Sequence, residues 1–114
     1  MRTHLIKENT VWDYAIEHAS SLTSFARWLD LIKSSDIEKP RDFIELFGQS
    51  NVDLLGENSH RICFDIGGNH YRVICSYFIN KKSGTTTVFI KWIGTHSEYT
   101  KLCAHNKQYT VDSF

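Results

Sequence analysis

Apolar residues recur at helical spacing in the first third of the chain and at every second position further on. Val11, Trp12, Ala15, Ile16 and Ala19 follow a helical period, with Asn9 or Thr10 placed to cap it. Ser20 and Ser21 interrupt the run and suit the cap of a second helix, whose stripe is Leu22, Phe25, Ala26, Leu29 and Ile32. Two amphipathic helices in succession predict an αα-hairpin. Pro40 fits the first turn of a short third helix through Phe43, Ile44, Leu46 and Phe47, stopped by Gly48. Arg2–Ile6 alternates weakly, as a short strand does, and residues 49–59 read as a polar loop.

From His60 the period becomes two. Ile62, Phe64 and Ile66 alternate with Arg61, Cys63 and Asp65, and Gly67-Gly68 then reads as a two-residue hairpin turn before Tyr71, Val73, Cys75, Tyr77 and Ile79. That turn pairs Cys63 with Arg72 and Asp65 with His70. A second turn at Asn80–Gly84 leads into a strand with Thr86, Val88, Ile90 and Trp92 on one face and Thr87, Phe89, Lys91 and Ile93 on the other. Gly94 breaks this strand, and Thr95-His96-Ser97-Glu98 has the spacing of a capping box that opens a short helix. Alternation over Gln108–Val111 suggests a final edge strand. The expected fold is an α/β (α+β) domain spanning 1–114. Two N-terminal helices and a short third pack on an antiparallel sheet of three to five strands, followed by a short C-terminal helix.

Packing then assigns faces. The helix stripes need the Ile62–Phe64–Ile66 side for burial, so Arg72 belongs to the opposite, exposed sheet face, where alternation also places Lys91. His96 falls at the first position of the last helix, where backbone N–H groups attract anions, and Tyr99 lies on the same helical face.

Charge sharpens this picture. The chain is neutral overall, yet residues 1–60 carry six Lys or Arg against ten Asp or Glu, and residues 61–107 carry seven against two. A basic half attracts phosphate, which makes Arg61, His70, Lys81, Lys82 and Lys101 candidate RNA contacts around the Arg72, Lys91, His96 and Tyr99 set. Such a set suits RNA transesterification: a base takes the 2′-hydroxyl proton, cations stabilise the phosphorane, and an acid protonates the leaving 5′-oxygen. This chemistry requires no metal and no other cofactor. Cys63, Cys75 and Cys103 are odd in number and widely spaced, which fits reduced thiols. No apolar run approaches the ~20 residues that cross a bilayer, and residues 1–9 lack a signal peptide's apolar stretch, so a cytoplasmic protein without membrane association is expected.

Two stretches, FDIGGNHYRVICSYF and VFIKWIGTHSEYTKL, resemble the signature of HigB-type messenger-RNA interferases within the RelE-like toxin superfamily. The similarity runs through residues 4–103. It implies a toxin of a type II toxin–antitoxin pair that cleaves messenger RNA on the ribosome and is neutralised by a helix-turn-helix, HigA-like antitoxin. By position the resemblance assigns catalytic roles to Arg72, Lys91, His96 and Tyr99 and a structural role to the turn residue Asn69. Thr100 stands where the family usually has an acid. The competing reading is a non-catalytic RNA- or ribosome-binding module of the same fold.

Overall fold

The computed structural model describes residues 2–56 and 58–114. Glu57, in the expected 49–59 loop, and Met1 lie outside the described residues. The strands are β1 (Arg2–Ile6), β2 (Val52–Leu55), β3 (Arg61–Ile66), β4 (Tyr71–Asn80) and β5 (Thr85–Thr95); the helices are α1 (Glu8–Glu17), α2 (Leu22–Lys33), α3 (Arg41–Phe47) and α4 (His96–Ala104). The strands form one sheet in the order β1-β5-β4-β3-β2. The α+β class, three helices ahead of the main strands and a short helix after them are therefore present as expected. The sheet is mixed, because β1 runs parallel to β5 while the other pairs are antiparallel.

The main core lies where the helix stripes meet one sheet face. Val11, Ala15, Phe25, Trp28, Leu29, Ile32 and Phe43 pack on Ile62, Phe64, Ile66, Val73, Val88 and Ile90, all buried. Phe64 is the hub, in edge contact with Trp28, Phe43 and Phe47 at ring separations of 5.2, 5.9 and 4.9 Å. Burying one such side chain is worth about 1.5–3 kcal/mol. Ile16 does not join this core and is 66% exposed, so the buried stripe of α1 is Val11 and Ala15 with Trp12 half-buried.

Several local expectations are corrected. Helix α1 begins at Glu8 behind Lys7, which has φ 70°, and Thr10 Oγ1 donates back to Lys7 O at 2.6 Å instead of receiving cap bonds. Ser21 likewise donates to His18 O and does not cap α2. Part of the expected 49–59 loop is β2, whose short run pairs with β3. The β3–β4 turn spans four residues, not two: Ile66 pairs with Tyr71 and Asp65 with Arg72. Gly67, Gly68 and Asn69 all have positive φ, at 69°, 61° and 77°, a curl that two residues alone do not complete. A shift of this kind preserves parity, so Arg72 keeps the face assigned to it.

Lys91 sits at an irregularity of β5, where Ile90 pairs with Cys75 and Trp92 with Ile74. The extra residue switches the alternation. Trp92 therefore joins the second face and Ile93 the main core, the reverse of the expected arrangement. That second face is not bare. Leu55, Cys63 and Ile74 are buried there beneath Trp92, Tyr99, Leu102 and Val111, contributed by β5, α4 and the C-terminal tail. The tail makes one 3-10 turn at Lys107–Tyr109 and no strand. It docks through side chains: Arg61 Nη1 donates to Val111 O at 2.6 Å and to Gln108 O at 3.4 Å. No helix among the described residues is long and apolar enough to cross a membrane.

Candidate functional site

The site forms where β4 begins and β5 ends, because their pairing sets Tyr71 against Thr95 and Arg72 against Gly94. The chain then enters α4 through the capping box anticipated from Thr95 and Glu98. Thr95 Oγ1 accepts from Glu98 N at 3.2 Å, and Glu98 Oε1 accepts from Thr95 N at 2.8 Å. His96 N donates to His70 O at 3.0 Å, tying the helix start to the β3–β4 turn. Thr100 Oγ1 donates to His96 O at 3.1 Å and so braces the first turn of α4.

Arg72 is the centre of the cluster. Its Nη2 donates to Asn69 Oδ1 at 2.6 Å and to His96 Nδ1 at 3.1 Å. The guanidinium lies over the Tyr99 ring, 5.3 Å from its centroid, in a cation–π arrangement. Its Nε faces Asp65 Oδ1 at 3.7 Å, with the two side chains 17% and 12% exposed. These two buried atoms have no hydrogen bond among the described residues, so Coulomb attraction alone links them. Because a guanidinium only donates, His96 Nδ1 must carry its lone pair here, which puts the proton of the neutral ring on Nε2.

Tyr99 is a platform more than a titrating group. Burial, reinforced by the adjacent Cys63 and Cys103, pushes its hydroxyl far above the usual tyrosine range. Burial also pushes the Cys63 thiol up to about 12, which makes it an inert packing group. Trp92 lies 6.1 Å from Tyr99, ring to ring, and crosses the backbone of Gly94 so closely that a Cβ there would stand 2.4 Å from its ring. Glycine is needed at position 94 for room.

The family model for HigB_toxin, the RelE-like toxic component of a toxin-antitoxin system, matches residues 21–102. The chain belongs to the HigB toxin family. Membership makes it a toxin component whose partner is an antitoxin. No curated protein matches the sequence. The matched span contains the whole Arg72 cluster but is shorter than the expected 4–103, leaving β1, α1 and the C-terminal tail outside it.

In this HigB-family toxin the expected residues divide into groups. Arg72, His96, Tyr99 and Asn69 come together, with the exposed His70 beside them on the same turn. Lys91 is engaged elsewhere: its Nζ pairs with Asp112 of the tail at 3.3 Å and lies 5.8 Å from the Phe89 ring. Arg61 is tied to the tail carbonyls. Lys101 is exposed on α4, while Lys81 and Lys82 occupy the β4–β5 turn at the far end of β4. Sequence reasoning missed Asp65 as the partner of Arg72. Its signal was present in strand parity, but the two-residue turn paired Asp65 with His70. The engagement of Lys91 by Asp112 had no local signal.

Proposed function

We propose that this toxin is a ribosome-dependent endoribonuclease that cleaves messenger RNA by metal-independent transesterification and so inhibits translation. The observation that carries the reading is the contact between the Arg72 guanidinium and His96 Nδ1 at the start of α4. It supports the reading because a permanent cation and an imidazole held side by side suit the charge and the proton transfers of one phosphodiester. Arg72, drawn onto the scissile phosphate, stabilises the phosphorane charge and releases Nδ1 of His96. The 2′-oxygen attacks phosphorus as its proton leaves to a base, and the P–O5′ bond breaks as the 5′-oxygen takes up a proton. The products are a 2′,3′-cyclic phosphate and a 5′-hydroxyl. His96 serves one of the two proton transfers. Tyr99 acts as a positioning residue beneath Arg72, since its raised hydroxyl is ill-suited to giving up a proton.

Lys91 contributes as a second cation once it leaves Asp112. His70, exposed on the β3–β4 turn beside the cluster, and Lys101, exposed on α4, serve as further RNA contacts in this reading. A neutral net charge supports delivery of the message by the ribosome, because affinity for free RNA comes mainly from neutralised phosphates. The proposed setting is the cytoplasm, and the proposed partner is a helix-turn-helix antitoxin of the HigA type.

Incubation with programmed ribosomes, followed by mapping of RNA ends, tests the proposal. Defined cuts ending in 2′,3′-cyclic phosphate, lost on Arg72→Gln, support the nuclease. Translation arrest with intact message would instead identify a non-catalytic ribosome-binding module.

A further inference from the structure

The end of β4 remote from Arg72 carries a surface that the cleavage site does not use. Phe78 is 60% exposed, the most exposed aromatic residue of the described chain. It lies beyond the last β3 contact, the bond from Tyr77 N to His60 O, so the strand edge at Phe78 is open. A cleft of about 420 Å³ forms there, between that edge and the loop before α3. Phe78, Pro40, Lys39, Lys81, Lys82 and Glu38 line it.

Three of these are exposed lysines without an ion pair among the described residues. Asn80 holds the backbone of the β4–β5 turn, its Oδ1 accepting from Lys82 N at 3.1 Å and from Ser83 N at 3.2 Å. The turn is thus braced from within while its lysine side chains remain available. An exposed aromatic ring, a proline face and three unpaired cations, against the single carboxylate of Glu38, complement an unpaired base with its flanking phosphates.

We infer that this cleft is a second RNA-contacting surface, separate from the cleavage site, in which one unpaired base stacks on Phe78 while Lys39, Lys81 and Lys82 take backbone phosphates. Phe78 and Arg72 are six residues apart on β4; at ~3.3 Å per residue they stand about 20 Å apart. The two surfaces therefore engage different nucleotides. The inference rests on the RNA-directed reading of this toxin for its choice of polymer, and not on cleavage.

The test is fluorescence anisotropy of a short labelled oligouridine over a salt series, with the full chain and variants whose thermal midpoints match the wild type. Phe78→Ala and Phe78→Leu should weaken binding about tenfold, whereas Phe78→Trp should retain it, because stacking needs a ring and not merely apolar area. The double change Lys81→Gln and Lys82→Gln should flatten the salt slope by about 1.4, since each single-strand phosphate contact contributes ~0.7. Wild-type affinity in Phe78→Leu, or no binding by the wild type at low salt, overturns the inference. Loss of antitoxin binding in Phe78→Leu with RNA affinity intact also overturns it, by making the cleft a protein interface. Cleavage is scored separately on ribosomes. A wild type that binds RNA through Phe78 but does not cut message would sink the nuclease reading alone.

Discussion

Arg72 is held from three directions, by Asn69, His96 and the Tyr99 ring, with Asp65 behind it. This makes it a structural residue as well as the proposed phosphate clamp. Arg72→Gln leaves the Asp65 carboxylate, 12% exposed, without its cation. A stability loss of about 1–3 kcal/mol should follow, together with loss of cleavage. Adding Asp65→Asn should recover stability but not cleavage, which chemical denaturation and ribosome assays of the pair will separate. A single variant with wild-type stability would show that Asp65 is solvated well enough to stand alone. His96 has a different profile. Its side chain is exposed and contacts Arg72 only through Nδ1, so His96→Gln should leave the thermal midpoint near wild type while slowing cleavage by ~10²–10⁴-fold. An earlier melt with an undiminished rate would assign it to the helix start and not to the chemistry.

At the scale of elements, the site depends on how β5 runs into α4. Gly94 accommodates the Trp92 ring, and that ring in turn packs by Tyr99 under Arg72. Gly94→Ala should force the indole aside at a cost of about 1–3 kcal/mol, altering tryptophan fluorescence and reducing cleavage together. Unchanged fluorescence would mean that the backbone yields and the ring does not. The tail is the other controlling element. Its Asp112 neutralises Lys91, and Ser113 N donates to Lys91 O at 2.9 Å. Asp112→Asn should free the ammonium and raise affinity for oligouridine at low salt, with a steeper salt dependence than the wild type. Equal salt slopes would show that Lys91 stays out of reach of phosphate.

The molecule as a whole buries several groups whose neutral forms it protects. Burial raises both the Cys63 thiol, ordinarily 9.0, and the Tyr14 hydroxyl, ordinarily 10.0, to about 12; the charge of Glu98 adds to the shift at Tyr14. A raised folded-state value means that the native state holds the proton more tightly than the unfolded chain. Their contribution to stability is therefore complete below about pH 9 and is lost as pH rises from about 9 to about 12. Denaturation midpoints should fall across that window, and Cys63→Ala should make the fall shallower whatever its effect at neutral pH. A pH-independent midpoint up to 11 would contradict the burial of these groups.

Local periodicity determined much of this protein. The stripe Phe25, Leu29 and Ile32, the alternation of Ile62, Phe64 and Ile66, and the Thr95–Glu98 capping box were legible because each depends only on spacing along one element. The face of Arg72 was legible for a related reason. A register shift that keeps parity moves its partner from Cys63 to Asp65 without turning its side chain over. Tertiary structure alone decided the rest. The length of the β3–β4 turn follows from three consecutive positive φ angles, and only two of those residues are glycines. The parallel pairing of β1 with β5 and the tail's capture of Arg61 and Lys91 join segments far apart in sequence. The irregularity at Lys91 turns Trp92 toward Tyr99. Such contacts are selected by the burial and charge pairing available once the sheet has assembled, so no spacing within a single segment encodes them.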